Sequence, residues 1–187
     1  LELGVARPND IFFCENGKFK LGQALPVFGE ASSHEFGWLS MRQIIAKSSN
    51  IGAIKIAQQV GAKNFHHYIQ KFGFGKKTNI GLPGESAGQF KNVSQWSARS
   101  LASISFGHEI GVTPLQMATA LSAIANGGNL MQPRIVKAVL KNDLRVETFP
   151  PKVVDRVISK RTSRQMIDIL KSVVKEGTGA KAALKGY

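Results

Sequence analysis

The sequence predicts an α+β fold that is predominantly helical and carries a short β-hairpin near its C-terminal part. Apolar residues recur at helical spacing in several segments that begin with capping signals and end at glycine. Two short runs rich in β-branched residues, 135–140 and 153–158, flank a polar turn around Asn142 and Asp143 and are expected to pair. With 187 residues, the chain can bury the core of one domain of ordinary size.

The first predicted helix is interrupted soon after it begins. Residues 1–36 are rich in Gly, Pro and Asn, which predicts loops and a small hairpin. Ser40 can then cap a helix, because Gln43 lies three residues later and completes a capping box. Apolar residues at helical spacing stop at residues 48–50, which read SSN, and resume beyond them until Gly61.

The middle of the chain predicts one amphipathic helix and one irregular passage. Apolar residues at helical spacing between Phe65 and Phe72 predict a helix that ends at Gly73. The loop after it contains Gly and Lys without the spacing of a phosphate-binding loop, so no nucleotide site is predicted. The passage from Ser94 to Val112 lacks helical spacing, and we expect mostly irregular structure there.

Two more helices are predicted in the second half of the chain. Thr113 can cap the first, with Pro114 in its first turn and Gln116 completing a capping box. One face of this helix consists of apolar or small residues that we expect to be buried: Leu115, Ala118, Leu121, Ser122 and Ala125. The last helix begins near Lys160 and ends near residues 176–179. Its apolar face consists of Met166, Ile169, Leu170 and Val173.

The chain is strongly basic. Its net charge of +13, from 25 Lys and Arg against 12 Asp and Glu, favours an anionic partner. The basic residues are dispersed and lack the interleaved aromatic residues of a single-strand binding surface, so a solvated surface is favoured over nucleic-acid binding. No segment approaches the roughly 18 consecutive apolar residues of a membrane span. The sequence begins at Leu1 without an initiator Met or a signal peptide pattern, and we expect an internal piece of a longer protein.

The cysteine and histidine residues predict neither a disulfide nor a metal site. Cys14 is the single cysteine, so no intramolecular disulfide can form. The His-Glu pairs at residues 34–35 and 108–109 lack a histidine three residues after the glutamate, so the zinc-protease ligand pair is missing. His66 and His67 are adjacent on a predicted helix and point about 100° apart, which does not suit a shared metal ion.

The SSN stretch has two interpretations. Ser and Asn compete for backbone hydrogen bonds inside a helix, so the structural interpretation is a helix junction. The functional interpretation is that this junction projects the hydroxyl of Ser48 and the amide of Asn50 into a cleft. An amide can pair with a substrate peptide bond because it both donates and accepts, and a hydroxyl can pass a proton to a leaving group.

Four blocks of the sequence together resemble a known family. In chain order they read LSMRQIIAKSSNIGAIKIAQQVG, YIQKFGFGKKTNIGLPGESAG, SISFGHEIGVTPLQMATALSAIANGG and VVKEGTGAKA, and they are similar to the transpeptidase domain of class B penicillin-binding proteins, the peptidoglycan D,D-transpeptidases of division and elongation. The resemblance covers nearly the whole chain. It implies the helical lobe of the penicillin-binding protein transpeptidase fold, which is serine β-lactamase-like. It divides the partial domain 1–187 into a loop and hairpin region (1–36), a helical lobe with the S-x-N motif (37–128), and a β-hairpin with a return helix (129–187).

The family works with three motifs, S-x-x-K with the acylated serine, S-x-N and K-[ST]-G. Only S-x-N is matched here, and the resemblance implies catalytic roles for Ser48, in proton transfer, and for Asn50, which also holds the substrate amide. The nucleophile is expected outside this chain, with the first motif just upstream of Leu1 and the third just downstream of Tyr187. Further substrate contacts are assigned to Ser49, Gly107 and His108. A packing role stays open for Gly107 and His108, and His108 is not assigned as catalytic.

Residues Ser172 to Lys175 also fit the S-x-x-K pattern literally. They follow the S-x-N motif instead of preceding it. They also lie near the end of the last helix, beside residues 176–179, which read EGTG and are called the EGTG block below. We therefore do not assign Ser172 as a nucleophile.

The resemblance implies serine acyl transfer. An upstream serine attacks the D-Ala-D-Ala bond of a stem peptide, and an amine of a neighbouring stem takes the acyl group. β-Lactam antibiotics are expected to acylate the same serine, and no metal or organic cofactor is implied. The resemblance also implies a periplasmic location on the extracytoplasmic face of the bacterial cytoplasmic membrane, with a transmembrane anchor outside these residues. Divisome or elongasome membrane proteins are the expected partners, and nucleic acid is not.

Two alternatives stay open from the sequence alone. The basic surface could act as a binding module on anionic wall polymer, lipid head groups or nucleic acid, and such binding weakens steeply with ionic strength. The chain could also belong to a catalytically dead relative with a scaffold role, whose flanking sequence would lack the S-x-x-K and K-[ST]-G motifs.

Overall fold

The structure is a computed structural model that describes residues 1–23, 25–142 and 144–184. Within these ranges the elements follow in the order β1 (Ile11–Phe13), β2 (Lys18–Lys20), β3 (Val27–Gly29), β4 (Trp38–Ser40), α1 (Met41–Lys47), α2 (Asn50–Val60), α3 (Ala62–Lys71), α4 (Ser100–Ser105), α5 (Pro114–Ala125), β5 (Asn129–Met131), β6 (Ala138–Lys141), β7 (Leu144–Thr148), β8 (Val153–Arg156) and α6 (Lys160–Glu176). The predicted α+β class with predominant helix is confirmed.

The predicted helix starts are confirmed by capping hydrogen bonds. At the start of α1, the backbone N–H of Gln43 donates to the Ser40 hydroxyl at 3.2 Å, and the backbone N–H of Ser40 donates to the Gln43 side chain at 2.9 Å. Thr113 and Gln116 form the same reciprocal pair at the start of α5, where Pro114 occupies the first turn. The last helix, α6, begins at the predicted residue, Lys160.

The N-terminal strands and the first two helices enclose one part of the core. Its buried apolar residues are Ala6, Phe12, Cys14, Leu39, Met41, Ile44 and Ile51. The helices α1 and α2 approach closely at Gly52, where an added Cβ atom would lie 2.5 Å from the Ile44 side chain. A side chain at this position would therefore force the two helices apart, and the missing Cβ allows α2 to turn back against α1 directly after the SSN stretch.

The predicted pairing of the β-rich runs near the C-terminus is wrong. The run 135–140 contributes β6, which pairs antiparallel with β7, and the run 153–158 contributes β8, which pairs with β5. Lys141 pairs with Leu144, so only two positions of the sequence separate the paired residues, and the first of them, Asn142, has a φ of 49°. A connection this short fixes the pairing of the residues on its two sides. Position 143 of the predicted turn lies outside the described residues.

The buried face of α5 also differs from the prediction. Its fully buried residues are Gln116, Ala120 and Ala123, whereas Ala118, Leu121, Ser122 and Ala125 are exposed and Leu115 is half-buried. The Gln116 side chain donates to the carbonyl oxygens of Lys76 and Ala87 at 2.8 Å and 2.9 Å. The Gln116 side chain is itself buried, because these two carbonyl oxygens satisfy its amide, and it occupies the face that an apolar pattern assigns to solvent. The prediction therefore chose the wrong side.

The passage predicted as mostly irregular contains a helix, α4. Its sequence is SLASIS, and Ser100, Ala102, Ser103 and Ile104 are buried. This helix packs on α2. Serine is a weak helix former, so the sequence gives little sign of α4, and burial against α2 supplies the stabilisation that local propensity lacks.

Candidate active site

The SSN stretch is a junction between two helices. Ser48 follows α1 with a left-handed backbone, φ 55° and ψ 45°, and Ser49 is extended, with φ −69° and ψ 117°. Asn50 is the first residue of α2. The N–H of Ser49 donates to the Ile44 carbonyl oxygen at 2.9 Å and so closes the end of α1. The predicted interruption of the helix is therefore confirmed, and within three residues the backbone ends one helix and begins another.

The backbone of Ser48 is strained for a residue that carries a side chain. A left-handed conformation costs a non-glycine residue about 1–2 kcal/mol, and glycine is the usual residue at such a helix end. Serine at this position retains a hydroxyl that glycine would not provide. Backbone strain held in place by surrounding structure is a frequent property of functional sites, and here it supports the functional interpretation of Ser48.

The hydroxyl of Ser48 is exposed and reaches the EGTG block at the end of α6. Its Oγ lies 3.0 Å from the Oγ1 of Thr178, a residue 130 positions away in the sequence, and either atom can donate the hydrogen bond. The N–H of Thr178 also donates to the carbonyl oxygen of Ala46 at 3.1 Å, in the last turn of α1. The EGTG block therefore forms one side of the junction.

Ser49, the middle residue of the motif, is buried and belongs to the fold. It is 2% exposed, and its hydroxyl accepts the N–H of Gly52 at 3.0 Å, which caps α2. The same hydroxyl donates to a carboxylate oxygen of Glu30 at 2.6 Å. Its Oγ also lies 3.5 Å from the sulfur of Cys14, and burial raises the pKa of that thiol above its ordinary value. Ser49 is expected from the sequence to contact the substrate, but its hydroxyl is buried and is not available for such a contact.

Asn50 is half-buried and contacts the loop that follows β3. Its backbone N–H donates to Glu30 at 2.6 Å, and its side-chain amide donates to the Gly29 carbonyl oxygen at 3.0 Å. A side-chain amide has two N–H donors and a carbonyl acceptor, so this bond leaves further hydrogen-bonding capacity. Gly29 and Glu30, the two residues that Asn50 contacts, also line a concavity of about 330 Å³.

Glu30 holds the start of α2 from outside the motif. Its two carboxylate oxygens accept one hydrogen bond each, from the Ser49 hydroxyl and from the Asn50 N–H. A negative charge at this position is favourable, because a helix N-terminus carries partial positive charge and unpaired N–H groups. The junction is therefore fixed on two sides, by Glu30 at the start of α2 and by Thr178 at the end of α1.

Gly107 and His108 lie at the end of α4, and both are exposed. Gly107 has a φ of 94°, a left-handed conformation that ends the helix. The His108 ring lies 5.0 Å from the Phe106 ring, and the Phe106 ring lies 6.1 Å from Phe28 in β3. This aromatic contact ties the end of α4 to the strand whose last residue, Gly29, accepts the Asn50 amide. A substrate contact by Gly107 or His108 stays a prediction.

Glu109, the residue after His108, contacts residues at the start of α4. The Ser100 hydroxyl donates to the Glu109 carboxylate at 2.6 Å and lowers the pKa of Glu109 below its ordinary value. The Arg99 side chain lies 3.9 Å from the other carboxylate oxygen and acts in the same direction. Glu109 is therefore a charged structural contact at neutral pH.

The literal S-x-x-K segment has a different environment. The Ser172 hydroxyl is buried and donates to the Ile169 carbonyl oxygen, within α6, at 2.6 Å. Its proton is thus donated to the helix backbone, and Lys175 is exposed near the end of the helix.

Within the described residues there is no group of three or more His, Cys, Asp or Glu side chains placed to hold a metal ion.

Sequence reasoning missed two residues of this site. Glu30 precedes the motif by about twenty positions and Thr178 follows it by 130. The sequence indicates residues 176–179 as a helix end and as part of the family resemblance, without a sign that Thr178 contacts Ser48. The structure gives the reason for the glycine at position 177, since an added Cβ atom there would lie 2.1 Å from the Ala46 carbonyl oxygen. Glu30 has no such local signal.

Comparisons with known proteins agree on one family. The family model described as the penicillin binding protein transpeptidase domain matches residues 1–187. The chain is 40% identical to penicillin-binding protein PbpB of Mycolicibacterium smegmatis, over 100% of this chain and 30% of that protein. It is 34% identical to the peptidoglycan D,D-transpeptidase FtsI of Escherichia coli K12, over 80% of this chain and 24% of that protein. The chain thus spans less than a third of the length of these relatives.

Solved structures share the fold. The crystal structure of penicillin binding protein 3 from Mycobacterium tuberculosis, complexed with aztreonam, matches with a TM-score of 0.88 and 33% identity, covering 100% of this chain and 42% of that one. A transpeptidase domain of penicillin-binding protein 3 from Burkholderia pseudomallei matches with a TM-score of 0.86 and 33% identity, covering 100% of this chain and 53% of that one. In the part of the chain that the structure describes, no helix has the length and apolar character needed to cross a bilayer.

Proposed function

Since the chain belongs to the penicillin binding protein transpeptidase domain family, we propose that it forms one part of a longer serine D,D-transpeptidase that cross-links peptidoglycan stem peptides. The observation that carries this proposal is the strained junction at Ser48. An exposed hydroxyl and a half-buried amide stand two positions apart there, on a backbone fixed from both sides. The S-x-x-K match in this sequence begins at Ser172, whose buried hydroxyl is bonded within its own helix, so we place the acylated serine outside these 187 residues.

The proposed reaction proceeds in two acyl transfers. The serine oxygen attacks the carbonyl carbon of the D-Ala-D-Ala peptide bond, an ester forms, and the terminal D-Ala leaves as a free amine after it takes up a proton. The amine of a neighbouring stem peptide then attacks the ester carbonyl. The new amide forms, the serine oxygen recovers a proton, and two stem peptides are joined.

Ser48 and Asn50 have separate roles in this reaction. The Ser48 hydroxyl can accept and donate a proton at the same time, so it passes a proton between the serine, the leaving amine and its neighbours. The Asn50 amide donates one N–H to the Gly29 carbonyl oxygen, and its remaining N–H and carbonyl oxygen are the groups that we assign to the substrate amide. Holding the amide in place reduces the entropy lost when the reacting groups are brought together.

β-Lactams are proposed as ligands of the complete site. The relative from Mycobacterium tuberculosis has been crystallised in complexes with aztreonam and with ampicillin, and 42% of its chain matches the whole of this chain. We propose the same covalent reaction for the longer protein, in which the serine opens the lactam ring. We also propose a location on the extracytoplasmic face of the cytoplasmic membrane, with an anchor elsewhere in the protein and divisome or elongasome proteins as partners.

The test compares two lengths of the protein with a fluorescent penicillin. The 187-residue chain is expected to form no covalent adduct, whereas the longer protein that includes its flanking sequence is expected to be labelled on a serine of an S-x-x-K motif. A labelled Ser172 in the short chain would contradict the proposal. An unlabelled longer protein that lacks S-x-x-K would favour the catalytically dead scaffold instead.

The binding-module alternative is not favoured by the comparisons, because every block of the chain matches a transpeptidase domain. The basic charge is then the surface property of an enzyme whose substrate is a cell-wall polymer. The charge carries no separate function in this proposal.

A further inference from the structure

The EGTG block is fixed against the junction by backbone contacts. The N–H of Gly179 donates to the Val173 carbonyl oxygen at 3.1 Å, which folds the block back over the last turn of α6. The N–H of Thr178 donates to the Ala46 carbonyl oxygen, also at 3.1 Å. Gly177 lets the two backbones come this close, since any side chain there would overlap Ala46. The position of Thr178 is therefore set by main-chain bonds and does not depend on its own side chain.

The hydroxyl of Thr178 faces the hydroxyl of Ser48. The two oxygens are 3.0 Å apart, within hydrogen-bond distance. Threonine is branched at Cβ and its side chain has few accessible rotamers, so this oxygen occupies a defined position. A serine hydroxyl can otherwise rotate freely, and the hydrogen bond limits the directions in which its proton and lone pairs can point.

We propose that Thr178 is a positioning residue that orients the Ser48 hydroxyl for proton transfer. The inference rests on the proposed function, because it needs Ser48 to act in the transpeptidase site. A hydroxyl that passes a proton must present a lone pair to one partner and its hydrogen to another, and a fixed neighbour removes the unproductive orientations. Thr178 acts through Ser48 and needs no contact with the substrate.

A purely structural role for Thr178 predicts different behaviour. In that case the important contact would be the hydrogen bond from the backbone N–H of Thr178 to the Ala46 carbonyl oxygen. That hydrogen bond does not depend on the side chain at position 178. Replacing Thr178 by valine keeps the shape and the branched Cβ and removes only the hydroxyl. Replacing it by serine keeps the hydroxyl and removes a methyl group. The two variants therefore separate the hydroxyl from the packing.

The experiment measures β-lactam acylation by the full-length protein that contains this chain, and it resolves the initial binding constant from the acylation rate constant. T178V is expected to lower the acylation rate constant about tenfold, a fraction of the ~10²–10⁴-fold that a positioned proton-transfer group contributes. Its initial binding constant is expected to stay within about twofold, because Ser48 orientation acts on the chemical step. T178S is expected to restore the rate to within about threefold of the parent protein.

The matched control is Thr119→Val in α5. The Thr119 hydroxyl donates to the Leu115 carbonyl oxygen within its own helix, so this variant loses a threonine hydroxyl without altering the junction. Its acylation rate is expected to stay within about twofold of the parent rate. Thermal unfolding of all variants is measured alongside, and T178V and T178S are expected to have similar melting temperatures.

A double variant decides whether Thr178 acts through Ser48. If it does, adding T178V to S48A changes the acylation rate by less than about twofold, because the group that Thr178 orients is already gone. A full additional tenfold loss in the double variant, or a T178V rate equal to the parent rate, overturns the inference. If S48A itself acylates at the parent rate, the proposed role of Ser48 fails as well. A slow S48A with a fast T178V refutes only this inference.

Discussion

Two serine segments of this chain satisfy catalytic motifs of the same family, and the structure gives them opposite environments. The S-x-N segment at residues 48–50 lies between two helices, with a left-handed residue, an exposed hydroxyl and partners on distant elements. The literal S-x-x-K segment at residues 172–175 lies inside a regular helix. Its serine is buried, and its hydroxyl is bonded to the carbonyl oxygen three residues earlier.

The difference shows that the backbone around a serine motif determines which partner the serine hydroxyl bonds to. Inside a helix, a serine hydroxyl has a backbone carbonyl within reach and commonly bonds to it, as Ser172 does. At the junction, α1 ends at Lys47 and Ser48 is left-handed, so the Ser48 hydroxyl reaches Thr178 instead. Of these two serines, the one whose hydroxyl is not bonded to its own helix is the one beside a helix end, which the letter pattern alone does not reveal.

The largest expected effect contrasts the two serines directly. In the full-length protein, Ser48→Ala is expected to lower the rate of β-lactam acylation about 100-fold, because a proton-transfer group is lost. Ser172→Ala is expected to leave that rate within about twofold, since the removed hydroxyl serves only its own helix. Stopped-flow or time-resolved labelling with a fluorescent penicillin measures both. Equal losses in the two variants would remove the basis of the contrast.

The second prediction contrasts two buried serines. Ser49→Ala removes the cap of α2 and the hydroxyl partner of Glu30, so it is expected to lower the free energy of unfolding by about 2 kcal/mol. Ser172→Ala is expected to change it by less than about 0.5 kcal/mol, because alanine favours the helix and only an intrahelical bond is lost. Urea unfolding of the same protein provides both values. A larger loss for Ser172→Ala than for Ser49→Ala would show that the junction is not the better-fixed segment.

The third prediction tests how closely the EGTG block must approach α1. Gly177→Ala places a Cβ atom 2.1 Å from the Ala46 carbonyl oxygen, and the overlap with backbone is expected to cost about 1–3 kcal/mol of unfolding free energy. The control is Gly22→Ala, where an added Cβ meets nothing within 4 Å and the expected change is below about 0.5 kcal/mol. If both alanines are tolerated equally, the block does not dock as described.

The smallest expected effect concerns Glu109, which contacts the start of α4 through Ser100 and Arg99. The pKa of Glu109 is lowered mainly by the Ser100 hydroxyl, so its folded pKa lies below its unfolded pKa. The stabilisation is therefore fully present above the unfolded pKa and is lost as pH falls through the folded pKa. Melting temperatures between about pH 7 and about pH 3 are expected to fall less steeply for Glu109→Gln than for the parent chain. A steeper fall for the variant would contradict this sign.

The elements that the sequence predicted well are those with local signals. The capping boxes at Ser40 and Thr113 depend on residues three positions apart, and the last helix has a single apolar face. The break at residues 48–50 is likewise a local departure from helical spacing. In each case the signal and the structure involve the same few neighbouring residues.

The errors occurred where distant contacts outweigh local pattern. The buried face of α5 is decided by the bonds from Gln116 to the loop carbonyls of Lys76 and Ala87. The helix α4 is stabilised by packing on α2. The strand β8 pairs with β5, although β6 and β7 lie between them in the sequence. Glu30 and Thr178 complete the junction from positions that no local spacing connects to it. Such contacts depend on the folded arrangement and leave no periodic trace in the sequence.

The most direct test is a crystal structure of the longer protein acylated by a β-lactam. The proposal predicts that the Ser48 Oγ and an amide atom of Asn50 lie within hydrogen-bond distance, about 2.7–3.2 Å, of the bound acyl group or of the acylated serine and its lysine neighbour. It further predicts that Thr178 keeps its contact with Ser48 in that complex. An acyl group bound on another face of the molecule, with Ser48 and Asn50 far from every reacting atom, would contradict the assignment of this junction to the active site.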